Sequence, residues 1–448
     1  MNQPIQDRLK FLEAWLENQR AYHGNVGTSI SIFSKTETLY ANGFGYANIE
    51  SKARANSNTR YRVASITKLF TTTAIMQLVE KGKLDINKTV KEYIPWFAFP
   101  SEKDLNLVTV KNLLNHTSGI PRESDNPYWT DFEFPTKEQA KESLTRQEQV
   151  LAKNTMWKYS NLGFAFLGEI ISVVSGMPYE EYIENNILKP LALSSTSIKH
   201  LDTSHREMAI GYSRRLPNEE MKPVKIPDCK WISPAANLSS TVIDLTKFLQ
   251  TFMKNEGAIL RPSTVREMMN ISVTNHNLTN GFGLGFMQIN GPHGIEIGHN
   301  GGFQGYKSYA FFLKDYDLGA IVLTNSTDSV PLTIARQIYA LLKNDLNSST
   351  KITHDYKSIS KFCGKYRSAW QDFLVSPIDG KLHLFTLPAD DSFETKAEIY
   401  KDENNDFRLN SNLGGSTVGE KVSFILDSKG NVVKMRTGSN YADKIEEW

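Results

Sequence analysis

Apolar residues recur at helical spacing near the start of the chain, at Leu9, Leu12, Trp15 and Leu16, and predict an amphipathic helix over 6–22. Two strand-like runs follow at 28–33 and 38–47, parted by a short polar turn. From Ser65 to Lys81 the pattern turns helical and apolar on nearly every face, through Leu69, Phe70, Ala74, Ile75, Met76, Leu78 and Val79, until Gly82 stops it. Such a helix belongs in a core. Residues 85–200 read as mostly helical with frequent proline and glycine breaks. Strand character returns at 283–289, 294–299, 306–313 and 318–324, the last a buried-type run, and a helix at 331–343 closes this part.

Strands at both ends of a long region, with helices between them, imply one sheet assembled from distant segments beside an α-helical lobe. The polar stretch 344–351 (NDLNSSTK) reads as a linker. Beyond it come short alternating strands with hairpin signals, Asp379-Gly380 before KLHLF and SKGN at 428–431 before VVKM. The expected division is therefore a domain over 1–345 and a small β domain over 355–448.

Composition narrows the function more than the fold. With 40% hydrophobic and 22% charged residues the chain has a globular profile. A net charge of +2, from 51 basic and 49 acidic side chains, provides no field for nucleic acid or an acidic membrane. No apolar stretch reaches bilayer-spanning length, and residues 1–11 (MNQPIQDRLKF) contain no signal-peptide core, so a cytoplasmic location is expected unless a leader was removed. Cys229 and Cys363 are too few for a disulfide framework and read as free thiols.

Three short segments carry candidate chemistry. Ser65-Ile66-Thr67-Lys68 opens the apolar helix: the serine sits at the positive end of the dipole and Lys68, at i+3, lies on the same face. A lysine on a buried helix must be paired or have a lowered pKa, and a lowered pKa suits a serine-activating base. The plainer alternative is a helix cap with a solvated lysine, and Ser-x-x-Lys also occurs at Ser348 to Lys351 and Ser358 to Lys361. Tyr159-Ser160-Asn161 precedes another apolar helix; it is either a turn and cap, or a proton shuttle beside an amide donor. His299-Asn300-Gly301-Gly302 follows a strand. Asn-Gly there is a hairpin signal, with His299 then an ordinary surface residue, whereas glycines would also let a substrate backbone approach and free an N–H for an oxyanion.

In this order and context the three segments resemble the serine β-lactamase and penicillin-binding protein superfamily, in its class C-like branch. That branch includes D-aminopeptidases, D-Ala-D-Ala carboxypeptidases and β-lactamase-fold esterases. LLNHTSGIP at 113–121, GFGLGF at 281–286 and IVLTN at 321–325 are similar to stretches of the same branch. The resemblance covers about 10–345. It implies an α/β (α+β) fold: an antiparallel sheet flanked by terminal helices with an inserted all-α lobe, followed by a small all-β, barrel-like C-terminal domain.

Carried over by position, the resemblance implies Ser65 as nucleophile, Lys68 as base, Tyr159 as proton shuttle and Asn161 as holder of the substrate amide. The backbone N–H groups of Ser65 and Gly302 would form the oxyanion hole, with Gly301 and His299 against the substrate. His299 stands where lactamases and carboxypeptidases carry lysine; a histidine there is expected to be partly charged near neutral pH, a weaker and pH-dependent anchor. No cofactor is implied. A catalytic metal is rejected: the nine histidines include no His-Glu-x-x-His, His200 and His205 lack helical ligand spacing, and six residues of strand put His293 roughly 20 Å from His299. The expected substrate is a small molecule or short peptide with an amide or ester bond. The competing reading is a penicillin-binding sensor or scaffold with little turnover.

Overall fold

The computed structural model describes residues 3–100, 104–199, 207–343, 356–389, 393, 395–410 and 418–447. The expected linker at 344–351, with Ser348 and Lys351, lies outside the described residues, as do His200 and His205. Two compact units are present, one formed by Val26–Leu332 and the other by Met1–Asn25 with Thr333–Trp448.

In the second of these, the predicted N-terminal helix is α1 (Gln3–His23). Its apolar stripe, Leu9, Leu12, Trp15 and Leu16, is buried. Phe11 packs on Phe385 with ring centroids 4.3 Å apart, and Trp15 Nε1 and Gln19 Nε2 each donate to the Ala389 carbonyl at 2.8 Å. The unit's C-terminal strands, from Gly364–Arg367 to Asn440–Glu447, pair in chain order as an eight-stranded closed barrel, the last strand returning to the first. The hairpin signals mark real turns: Asp379 and Gly380 have φ of 54° and 74°, which matches the twist of the flanking strands.

The 26–332 unit is built on a nine-stranded antiparallel sheet. Its strands are β1 (Gly27–Phe33), β2 (Thr38–Asn48), β3 (Ala53–Arg54), β4 (Val273–Thr274), β5 (Asn280–Phe282), β6 (Met287–Gly291), β7 (Gly294–Phe303), β8 (Tyr306–Leu313) and β9 (Gly319–Thr324). They lie in the order β3-β2-β1-β9-β8-β7-β6-β5-β4. Pairing of Thr28 with Thr324 through Phe33 with Gly319 sets β1 against β9, so the sheet is assembled from distant segments as expected. Both strands are buried along their whole length, which accounts for their continuous apolar runs.

Two expectations change here. The run 283–289 is not one strand, because the chain turns between β5 and β6. Gly285 has φ +74°, and a Cβ there would lie 2.2 Å from Thr72 Oγ1, so this turn closes directly on the buried helix Thr67–Glu80. Asn300-Gly301 is not a hairpin either. Register between β7 and β8 runs unbroken from Glu296 opposite Leu313 to Phe303 opposite Tyr306, and the turn falls beyond it, at Gly305 with φ +81°. Long-range pairing overrides the local turn signal.

The helical lobe is a series of short helices with capped starts. Thr109 accepts from the Asn112 N–H, Thr136 from the Gln139 N–H and Ser160 from the Gly163 N–H. Two helices matter most for the site: α2 (Thr67–Glu80), entered through a 3₁₀ turn at Ala64–Ile66, and α3 (Asn161–Ser175). Every residue of α2 from Thr67 to Leu78 is buried. Among the described residues no single helix is long and apolar enough to cross a membrane.

Candidate active site

Ser65 sits in the 3₁₀ turn that leads into α2, half-buried and directly after Ala64, whose φ of +49° is unusual for a residue with a Cβ. Backbone strain of this kind persists where packing over-determines it, and it gathers at functional sites. One helical turn on, Lys68 is fully buried. Its Nζ lies 3.1 Å from Ser65 Oγ, 2.7 Å from Asn161 Oδ1 and 2.8 Å from the Ala235 carbonyl. Burial pushes Lys68 down to about 7; Glu123 opposes that shift and Arg122 adds to it.

The partner set explains what a neutral Lys68 would do. Asn161 Oδ1 and the Ala235 carbonyl only accept, so they take the two N–H bonds of the amine. The lone pair is left facing Ser65 Oγ. Tyr159 completes the arrangement from the other side, donating its hydroxyl to Ser65 Oγ at 2.8 Å. Burial drives the Tyr159 phenol well above its ordinary range, so it remains a proton donor. Of the two groups on the serine, only Lys68 is placed to accept a proton near neutral pH.

Tyr159 and Asn161 reach the serine because of the residue between them. Ser160 caps α3, accepting from the Gly163 N–H at 2.9 Å and donating to the Pro121 carbonyl at 2.7 Å. The cap reading therefore holds for Ser160, while its two neighbours project into the site. Asn161 is fixed at both ends: Oδ1 accepts from Lys68, and Nδ2 donates to Glu123 Oε1 at 2.6 Å.

β7 forms the opposite wall. At Gly301 a Cβ would fall 2.3 Å from the Val63 carbonyl and 2.3 Å from Ser308 Oγ, so only glycine lets the strand press against the turn carrying Ser65. Gly302 has open space by the same measure, with its nearest neighbour, Lys307 Cδ, 4.0 Å away. Pairing with β6 ends where Met287 meets Gly298, so the stretch 299–303 continues past its neighbour on that edge. His299 is buried, with its ring 6.4 Å from that of Tyr159. Because a carbonyl only accepts, the contact between Nδ1 and the Asn300 carbonyl puts the ring proton on Nδ1.

His299 is where the expectation fails. Burial, reinforced by nearby Lys68, pushes the imidazole down to about 3 against the pull of the Asn300 carbonyl. It is buried and not an exposed surface residue, and its surroundings disfavour the charged ring that a partly charged anchor needs.

Three contributors had no role assigned from the sequence. His116, inside the LLNHTSGIP stretch, packs against Tyr159 with centroids 4.4 Å apart and the rings tilted by 33°, and accepts the Ser160 N–H on Nδ1 at 3.1 Å. Burial holds it neutral, well below the ordinary histidine range. Glu123, two residues beyond that stretch, binds the Asn161 amide and accepts the Tyr128 hydroxyl at 2.5 Å. The Ala235 carbonyl arrives from far along the chain, and no side-chain pattern could have announced a backbone oxygen. Among the described residues no group of three or more histidine, cysteine or carboxylate side chains gathers as a metal site.

A family model described as Beta-lactamase matches residues 12–344. Protein flp of Staphylococcus aureus (strain N315) is 26% identical over 335 residues, covering 74% of this chain and 66% of that protein. The chain thus spans just under two thirds of that relative's length. Among solved structures, the octameric penicillin-binding protein homologue from Pyrococcus abyssi is similar with a TM-score of 0.66 and 25% identity, over 97% of this chain and 100% of that one. A D-stereospecific amidohydrolase from Streptomyces sp. is similar with a TM-score of 0.63 and 25% identity, over 75% of this chain and 98% of that one.

Proposed function

The chain belongs to the beta-lactamase family, and from that premise we propose that it is a serine hydrolase cleaving amide or ester bonds through an acyl-enzyme on Ser65. Convergence of Lys68 Nζ and Tyr159 OH on one hydroxyl, at 3.1 and 2.8 Å, carries this reading. Neutral Lys68 takes the Ser65 proton as Oγ attacks the substrate carbonyl. The resulting oxyanion is received by the N–H groups of Ser65 and Gly302. Tyr159 passes its proton to the leaving alkoxide or amine and is reprotonated by the Lys68 ammonium, leaving an ester on Ser65. Water then attacks that ester, its proton moving to Lys68 through Tyr159, and the Lys68 ammonium returns a proton to Ser65 Oγ as the acid leaves, which restores the hydroxyl and the neutral amine. Asn161 would hold the substrate amide, and the β7 edge over 299–303 offers backbone groups for an extended substrate.

A panel of p-nitrophenyl esters, D-amino-acid anilides and a chromogenic cephalosporin tests the proposal. Turnover of neutral esters or amides, with a fluorophosphonate label on Ser65 located by mass spectrometry, is the expected result. Absence of turnover on the whole panel would instead favour a penicillin-binding sensor.

A neutral His299 sharpens the substrate preference. Carboxylate-bearing substrates find no cation at this position, so neutral esters and amides should be preferred over penicillins and D-Ala-D-Ala peptides. Between about pH 5 and pH 8 the wild-type ratio of KM for the two classes should show no step from His299, any change following Lys68 as it loses its charge near 7. His299→Lys is expected to lower KM for carboxylate substrates relative to neutral ones by about two- to thirty-fold, the worth of one partly solvated charge pair. Unchanged ratios in His299→Lys and His299→Ala would remove His299 from the substrate site.

A further inference from the structure

Behind the serine and lysine runs a continuous chain of hydrogen bonds that ends on Glu123. Lys68 Nζ donates to Asn161 Oδ1 at 2.7 Å, Asn161 Nδ2 donates to Glu123 Oε1 at 2.6 Å, and the Tyr128 hydroxyl donates to Glu123 Oε2 at 2.5 Å. Arg122 Nε lies 3.3 Å from Glu123 Oε1, and the Glu123 side chain is 19% exposed. Burial and Glu123 both hold the Tyr128 phenol well above its ordinary range, so that hydroxyl stays a donor to the carboxylate.

We propose that Glu123 is a positioning residue for the serine–lysine pair, locking the Asn161 amide with its oxygen toward Lys68. The inference rests on the serine–lysine reading above. An ionised carboxylate only accepts, so it selects the Nδ2 end of Asn161 and forces Oδ1 to the other side. A flipped amide would set Oδ1 against the Glu123 carboxylate and point an N–H at an amine whose lone pair is needed by Ser65. Acting through Asn161, Glu123 thereby orients the Lys68 lone pair on Ser65 Oγ.

The carboxylate also acts through its charge. The titratable groups around Lys68 are Glu123, Arg122, Cys229, His299, His116 and Tyr159. Both histidines are held neutral and Tyr159 protonated, while burial raises the Cys229 thiol. Glu123 is the carboxylate in this set, and it favours the ammonium form of Lys68 against burial and Arg122. Removing the charge therefore makes Lys68 easier to deprotonate.

The test is the pH profile of kcat/KM on a neutral p-nitrophenyl ester, with kcat and KM separated, for the full chain and its Glu123→Gln and Glu123→Asp variants. Glu123→Gln has the same shape but can present either end of its amide to Asn161. It should lower plateau kcat by about ten- to a hundredfold, as expected when a reacting group is slightly misplaced, with KM little changed. Its acid limb should move down by about half a unit or more, so that kcat/KM at about pH 6, relative to the plateau, rises about three- to fivefold. Glu123→Asp keeps the charge and should leave the limb at the wild-type position. A Glu123→Gln enzyme with wild-type kcat and limb, and a raised KM only for substrates carrying an ammonium group, would make Glu123 a substrate contact and overturn the inference. Should Glu123→Gln fail to fold, a downward-shifted limb in Glu123→Asp would overturn it equally. Failure of the underlying reading looks different: wild-type turnover would then persist without Ser65, or lack a Lys68-dependent acid limb.

Discussion

Ser65→Ala should lose at least about 10³-fold in kcat/KM on any substrate the wild-type enzyme turns over, since loss of a nucleophile that acts as a unit with its base is among the largest single effects in catalysis. Lys68 Nζ and Tyr159 OH both converge on Ser65 Oγ, so without that oxygen neither has a nucleophile to activate. The fold should survive, because Ser65 is only half-buried and the helix behind it is anchored by fully buried Leu69, Phe70 and Ile75. Phe70 alone stacks on Phe248 with centroids 3.9 Å apart. Unchanged thermal unfolding with loss of both turnover and fluorophosphonate labelling is the expected pair of results. Ser358→Ala is the control: Ser358 is exposed in the short helix Tyr356–Ser360 of the barrel-containing unit and should be silent. Undiminished turnover in Ser65→Ala, or a label attached elsewhere, would sink the assignment.

Lys68→Arg should be nearly as damaging, by about 10²- to 10⁴-fold, the usual worth of a positioned general base. Burial lowers Lys68 from 10.5 to about 7, so its base form is the minority below that pH and the majority above it. Wild-type kcat/KM should accordingly climb about tenfold per pH unit on the acid side and level off above about 7. Arginine cannot deprotonate at any working pH and provides no lone pair for the Ser65 proton. Lys68→Ala removes the base altogether and should be equally inert. An arginine variant that keeps full activity would move general-base work to another group. Tyr159 would be first in line, although its burial holds it protonated.

What was readable along the chain was what short-range pattern encodes. The i, i+3 spacing of Ser65 and Lys68 on an all-round apolar segment pointed to a lysine within reach of the serine hydroxyl, with a solvated lysine as the alternative; Lys68 is buried 3.1 Å from Ser65 Oγ, and Ser65 sits in the 3₁₀ turn just before the helix. Tyr159 and Asn161 flank a serine that is indeed a cap, while the two neighbours themselves hydrogen-bond to Ser65 and Lys68. The amphipathic stripe of α1, the buried runs of β1 and β9 and the Asp379-Gly380 turn were likewise legible, because each depends on neighbours within a few residues.

Tertiary structure decided everything that depends on distant partners. Asn300-Gly301 became mid-strand because pairing with Tyr309 and Ser308 outweighs a local turn preference. Grouping of α1 with the barrel-containing unit depends on contacts such as Phe11 with Phe385, hundreds of residues apart. The acceptors that hold Lys68, and Glu123 behind them, come from separate loops and carry no shared spacing. Charge state is the most non-local property of all. A histidine's sequence context gives it an ordinary titration near neutrality, but desolvation by surrounding groups lowers both His299 and Lys68 and so disfavours the charged form of each.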